Sequence, residues 1–290
     1  MTTHHDSRLR VGIIGVGRVG TALGRALQNA GHVVVAVHAV SEQSQNRARE
    51  YFPATDITTV EALVQQSDLI LLAVPDDVLE GLIAGIAQSH GFRHGQCIAH
   101  TSGRYGISVL TPAALQGALV MALHPAMTFV GVDSDIYRLN ACPFAVTASD
   151  EALAIAQALV IEMGGDPHII SEVDRVRYHA ALAHASNHLT TLVVQSQEML
   201  RDVGIENAGN FLSPLVMASA ENALQSGISA LTGPISRGDV ATVRAHIAEL
   251  PTGISRDTYC ALALATIEAA RRGNRISAEQ AAQLRAVVSP

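Results

Sequence analysis

The stretch RYHAALAHASNHLTTLVVQSQ, residues 177–197, sets His179, His184, His188 and Asn187 on one predicted helix. These side chains move protons, ligate metals or orient a polar substrate. Helical periodicity puts His184, Asn187, His188, Thr191 and Gln195 on one stripe, extended by Arg177 and Glu198. Leu182, Leu189, Val193 and Leu200 fall on the opposite side. The polar stripe is wide and uncharged in its middle, which suits a wet cleft or a polar interface better than plain solvent. His184 and His188 at i, i+4 have the spacing of a shared metal pair. No H-E-x-x-H glutamate and no suitably spaced carboxylate joins them, so no metal is expected. Two readings stay open: interface histidines with satisfied hydrogen bonds, and a face in which His184 meets substrate. His179 lies off the stripe near the helix start and is a separate candidate.

Other chemistry is excluded by absence. All 19 basic residues are arginine, so no lysine can form a Schiff base or hold a phosphate in a P-loop. Cys97, Cys142 and Cys260 are far apart and odd in number, with no C-x-x-C pair, which predicts reduced, buried thiols. The formal net charge is -7 and no basic cluster overrides it, which argues against a nucleic-acid partner. Arg271, Arg272 and Arg275 crowd together only at a predicted helix end. The opening MTTHHDSRLR lacks the apolar core of a signal peptide, and no apolar run is long enough to span a bilayer. A cytoplasmic protein without membrane contact is expected.

The elements that must position the helix begin with LRVGIIGVGRVGTALGRALQNAGHVVVAV. Leu9–Ile14 is an apolar strand, Gly15, Gly17 and Gly20 form G-x-G-x-x-G, 22–30 has helical spacing, and 32–37 is a second strand. This is the unit that binds a dinucleotide. Gly15 permits the tight turn, Gly17 lets the pyrophosphate approach, and Gly20 lets helix and strand pack. The helix start, through Val16, Arg18 and Val19, presents free N–H groups to the phosphates. Past the second strand come His38, Ala39, Val40 and Ser41, none acidic. Ser41, Ser44 and Arg47 are placed to surround a 2′-phosphate, so NADP is preferred and NAD is the alternative, with Glu42 in its favour. Val74 and Pro75, in AVPDD, are further candidates to line the cofactor.

The alternation continues with strands at 68–75, 96–103 and 118–125, a helix after Pro75, and a strand–helix–strand over PFAVTA, 150–163 and 168–171. Such runs predict an α/β, doubly wound, mostly parallel Rossmann sheet. From there the spacing is helical: 173–203, 206–226, 239–249, 255–272 and 277–288. Asp239 is a predicted cap, and Ser277 with Gln280 a capping box. The predicted division is a dinucleotide domain over 1–171 and an all-helical substrate or dimerisation domain over 172–290.

GVGRVG, AVPD, HTSG, LHPAMTF, YHAALAHASN and TGPISRGD together resemble a family of Rossmann-like oxidoreductases with a C-terminal helical domain of unknown function. That family is related to pyrroline-5-carboxylate reductase and 6-phosphogluconate dehydrogenase. The resemblance covers nearly the whole chain. It implies a nicotinamide-dependent oxidoreductase with its active site between the two domains, and a homodimer joined through the helical one. By this likeness Ser102 and Gly103 of HTSG contact substrate. His124 of LHP is similar to a His-Pro of prephenate-type dehydrogenases, and Asn187 matches the asparagine of a K-x-x-x-N helix. The lysine of that pattern falls at Ala183, so a histidine must supply the proton: His124, His179 or His184. Arg237, in GPISRGD, is placed to meet a substrate anion.

The expected function is hydride transfer to or from a small carboxylate-bearing carbonyl, imine or alcohol, with Ser102 and Asn187 orienting it. Two alternatives carry distinct expectations. A non-catalytic NADP(H)-binding sensor or assembly protein follows from the missing lysine. A prephenate- or arogenate-type dehydrogenase needs an arginine, Arg104 or Arg138, beside His124.

Overall fold

The computed structural model describes residues 8–131 and 133–289. The opening MTTHHDS, which lacks the apolar core of a signal peptide, lies outside the described residues. The chain forms two compact units, 1–185 and 186–290.

The first unit alternates as expected. In chain order come β1 (Arg10–Ile14), α1 (Arg18–Asn29), β2 (Val33–His38), α2 (Glu42–Tyr51), β3 (Asp56–Ile57), α3 (Val60–Gln66), β4 (Leu69–Leu72), α4 (Asp76–Gln88) and β5 (Cys97–His100). There follow α5 (Thr111–Ala114), β6 (Leu119–Pro125), α6 (Ser134–Arg138), β7 (Pro143–Ala148), α7 (Leu153–Glu162) and β8 (Asp166–Ile169). The sheet order is β3-β2-β1-β4-β5-β6-β7-β8. The chain reverses its direction of winding between β1 and β4, which leaves a crevice beyond their C-terminal ends.

Parallel strands covered by helices on both faces must be apolar throughout, and β4, LILL, is buried at every residue. Successive side chains of a strand feed opposite faces. Ile13 joins Leu23, Phe52 and Met121 in one core cluster, and Ile14 joins Leu63, Ile70 and Ile98 in the other. One join departs from parallel: β7 runs antiparallel to β6, pairing Ala122 with Thr147 and His124 with Ala145. Among the described residues the intervening segment carries the five-residue α6, which packs on α1. After α7, β8 is again parallel to β7.

The helices of the C-terminal half are α8 (Arg175–Asp202), α9 (Ala208–Ser226), α10 (Val240–Glu249), α11 (Ile254–Arg272) and α12 (Ala278–Val288). Asp239 caps α10 by accepting from Thr242 N–H at 3.0 Å, and Ser277 with Gln280 forms the capping box of α12. Val243, Ile267, Leu284 and Val288 fill the core that α10, α11 and α12 share. The helices begin where expected, at Arg175, but the first compact unit continues to Ala185 because the Arg175 side chain is buried in it. Beyond Arg175 no residue of α8 is fully buried. The apolar side of α8 is open in the single chain, with Leu189 40% exposed. Among the described residues no helix is long and apolar enough to cross a membrane. Cys97 and Cys142 are buried free thiols; Cys260 is only half-buried, short of the burial expected for all three.

Candidate active site

The glycine loop has the geometry its spacing predicts. Gly15 sits at φ +96, in the left-handed region, and a Cβ there would meet the Ala73 carbonyl. A Cβ on Gly20 would strike the Gly15 carbonyl, so α1 and β1 pack through bare backbone. Gly17 has nothing within 4 Å of its would-be Cβ: the fold leaves that space open. Gly17 also begins α1 with no side chain capping it and no acid in the first turn. The N–H groups near Arg18 and Val19 thus offer a positive end to an anion.

Of the flanking candidates, Arg47 and Val74 touch this loop. Arg47 donates to the Val16 carbonyl at 3.2 Å. Val74 lies 3.2 Å from the would-be Gly15 Cβ, and Pro75 starts α4. Ser41 caps α2, accepting from Ser44 N–H at 3.2 Å. His38 ends β2 with Nδ1 on the Thr58 carbonyl at 2.8 Å, and no carboxylate occupies the strand end.

Beyond β5 the chain is tightly wired. Ser102 N–H donates to His100 Nδ1 at 3.2 Å, so His100 carries its hydrogen on Nε2 and donates it to the Gly106 carbonyl at 2.7 Å. The Ser102 hydroxyl accepts from Tyr105 N–H at 3.2 Å. The Glu172 carboxylate accepts from Ile107 N–H at 2.6 Å and Ser108 N–H at 3.2 Å. Burial opposes its ionisation, but these hydrogen bonds outweigh it and hold the carboxyl below its ordinary range.

Arg175, at the first turn of α8, is completely buried. Its Nε donates to Thr147 Oγ1 at 2.8 Å; its Nη atoms donate to the carbonyls of Ala122 (2.8 Å), Ala145 (3.1 Å) and Ser102 (3.3 Å). One guanidinium therefore ties β6, β7 and the HTSG loop to α8. Desolvation lowers its pKa to about 10, which leaves it charged at neutral pH.

His124, near the end of β6, meets the HTSG loop on one side and α8 on the other. Its Nδ1 lies 2.8 Å from the Tyr178 hydroxyl. Its ring stands edge-on to those of Tyr178 and His179, with centroids 5.7 and 5.8 Å away. A Cβ on Gly103 would lie 2.9 Å from His124 Nε2 and would overlap His179 Cδ2. Gly103 therefore lets both imidazoles close onto its backbone, in the volume that a side chain there would fill. Desolvation, with the neighbouring His179 and Arg175, lowers the His124 pKa to about 4; burial alone dominates a similar fall to about 4 at His100. Burial pushes the Tyr178 phenol up to about 12, with Arg175 acting against it.

The structure thus brings together Gly103, His124 and His179. Ser102 stands in the same loop, 9% exposed. The other candidates stand elsewhere in the chain. His184 is exposed on α8, Asn187 is exposed in the second unit with its carbonyl accepting from the Thr191 hydroxyl, and Arg237 is exposed in a turn before Gly238. Sequence reasoning missed Arg175, Tyr178 and Glu172. The first two lie beside or within the YHAALAHASN stretch, where polar residues at the start of a long helix were the available signal.

Two family models match the chain: a Rossmann-like domain over residues 2–125, and a domain of unknown function, DUF2520, over 142–266. Among curated proteins none matches the sequence. Among solved structures the chain is similar to a "putative NADP oxidoreductase" from Bacteroides fragilis, at 22% identity and TM-score 0.75, covering 90% of this chain and 98% of that one. It is similar to protein TM1727 from Thermotoga maritima, at 18% identity and TM-score 0.70, with 91% and 99% covered. Pyrroline carboxylate reductase from Plasmodium falciparum, solved with NADP bound, matches at 14% identity and TM-score 0.56, with 95% and 98% covered. These likenesses are of fold. The two family models give the chain a Rossmann-like domain followed by a DUF2520 domain.

Proposed function

We propose that the protein is an NADP-dependent oxidoreductase acting on a small carboxylate-bearing carbonyl, imine or alcohol. The observation that carries this reading is the convergence of His124 and His179 on Gly103. That cluster lies at the C-terminal ends of β5 and β6, on the edge of the sheet where the glycine loop follows β1. The named function of the Bacteroides fragilis relative and the NADP held by the Plasmodium falciparum one support the choice of cofactor.

In this reading Gly15, Val16, Gly17, Arg18, Val19 and Gly20 hold the pyrophosphate against the start of α1. Ser41 and Arg47 meet the 2′-phosphate, where an acidic residue is lacking, and Val74 and Pro75 line the nicotinamide side. The cofactor supplies a hydride. His124 and His179 orient the reacting group and hold its proton, Gly103 lets the two rings approach one another, and Ser102 fixes the loop. Asn187, His184 and Arg237 are secondary candidates for substrate contact. The prephenate-type alternative draws no support from its arginines. Arg104 is engaged by Asp76 at 2.9 Å, and Arg138 is exposed in the last turn of α6.

The second unit supports a homodimer. Phe211, Leu215, Met217 and Leu224 of α9 are each more than 60% exposed, apolar area that a second copy would remove from water. Fluorescence titration with NADPH and NADH tests the main reading, and sedimentation of the same samples tests the dimer. Micromolar NADPH binding with weaker NADH binding is expected. Binding of neither would sink the oxidoreductase, and one chain per particle would sink the dimer.

A further inference from the structure

We propose that Tyr178 and His124 form a two-residue proton relay, in which the Tyr178 hydroxyl feeds His124 Nδ1 and the His124 Nε2–H faces the substrate at Gly103. This inference rests on the oxidoreductase reading and names the proton source that reading requires. The chain has no lysine to serve as an acid. An imidazolium is an unfavourable replacement, because burial and the nearby Arg175 both disfavour a second positive charge at His124.

The geometry offers a neutral route. The phenol lies 2.8 Å from Nδ1. A phenolic O–H that donates there leaves the imidazole hydrogen on Nε2, because a neutral ring carries only one. Nε2 is the atom that looks onto the would-be Gly103 Cβ. Tyr178 follows Arg175 by three residues on α8, so the two side chains share a face; burial disfavours a negative charge on the phenol, and the guanidinium acts against that penalty. The titratable groups around His124 are His179 and Arg175 from α8, His100 from β5 and Asp76 from α4.

The step balances. Once the carbonyl carbon has gained a hydride, its oxygen bears the electron pair of an alkoxide. The His124 Nε2–H bond breaks and a substrate O–H bond forms. The Tyr178 O–H bond breaks and an Nδ1–H bond forms on the same ring. The imidazole is neutral before and after. The negative charge passes from the alkoxide to the weaker base, tyrosinate, beside Arg175; a solvent proton then adds at Nε2 while Nδ1–H returns its hydrogen to the tyrosinate, which restores the starting tautomer and the phenol. Tyr178 acts on the substrate through His124 and is a positioning and relay residue. His124 is the group that touches the substrate.

The test is 15N NMR of the histidine-labelled full chain at pH 7, with the His124 signal assigned by its loss in His124→Asn. The expected result is an unprotonated, hydrogen-bonded Nδ1 and a protonated Nε2. In Tyr178→Phe the Nδ1–H form should appear, carbonyl reduction with NADPH should fall about 100-fold, and NADPH affinity should hold. A wild-type His124 with its hydrogen on Nδ1 would overturn the relay, even if the variant failed to fold. An unchanged tautomer and turnover in Tyr178→Phe would overturn it as well. Failure of wild-type protein to bind NADPH would instead remove the oxidoreductase reading, and the relay as a catalytic device with it, whatever the tautomer.

Discussion

Replacing Gly103 by alanine tests the site with a single methyl group. Gly103 is not among the glycines in the left-handed region, so its backbone accepts a side chain without torsional strain. The obstacle is the two rings: the new Cβ overlaps His179 Cδ2 and sits 2.9 Å from His124 Nε2. His124 is held by Tyr178 and its own strand, so His179 must give way. Overpacking of this kind costs about 1–3 kcal/mol, against a total stability of about 5–15 kcal/mol, so the variant should fold. The methyl group also pushes the imidazoles assigned to the reacting group out of place. Turnover should therefore fall about 100-fold, while NADPH affinity, set at the glycine loop, stays unchanged. Urea unfolding of wild type, Gly103→Ala, His179→Ala and the double variant closes a thermodynamic cycle. The double variant should recover at least about 1 kcal/mol of the Gly103→Ala loss, because the overlapping ring is gone. Additive losses, or full turnover in Gly103→Ala, would refute the placement of both imidazoles against Gly103.

Gly17→Ala should separate binding from folding. Its Cβ meets nothing within 4 Å, so the urea midpoint should hold, while the methyl lies where pyrophosphate must approach and NADPH affinity should drop about tenfold or more. Equal NADPH affinity in the variant would move the phosphates elsewhere. The histidines predict a pH effect of definite sign. His100 and His124 have folded pKa values of about 4 against 6.5 unfolded, so below pH 6.5 the unfolded chain takes up protons that the native state refuses. Their stabilisation is full above pH 6.5 and is lost as pH falls toward 4, with a ceiling of about 3 kcal/mol each. Urea midpoints should fall across that window, and the His100 ring resonance should show no titration above pH about 5. A normal titration of His100 near pH 6.5 would contradict its buried bonds to Gly106 and Ser102.

The parts of this protein written in local sequence were those with strong periodicity or punctuation. The GVGRVG turn marked a strand, a tight turn and a helix because glycine spacing has so few other uses. The helices after Ile169 announced themselves through Asp239, Ser277 and Gln280, whose caps form as expected. The antiparallel turn from β6 to β7 was not legible, because PFAVTA reads as an apolar strand whichever way it runs. The site was half legible. His124 and His179 lie 55 residues apart in sequence, and nothing local tells that they meet at Gly103. Arg175 was invisible for a related reason: an arginine at a helix start is ordinarily a surface residue, and only three strand and loop carbonyls make it a buried one. The HASN stripe that first drew attention is exposed in the single chain at His184, Asn187 and His188.

The segment from Ser102 to Ser108 is a loop by sequence but a rigid one by bonding. Four of its amides, at Ser102, Tyr105, Ile107 and Ser108, are already committed to His100, to the Ser102 hydroxyl and to Glu172. A ligand that settles against it does not have to freeze a mobile chain, so little conformational entropy is lost in forming the complex. Those four amides should exchange with deuterium slowly, as strand amides do, in protein without ligand. Selectivity in such a site comes from shape fixed before the encounter, and the rate of association is then set by diffusion and orientation, with no wait for a loop to order.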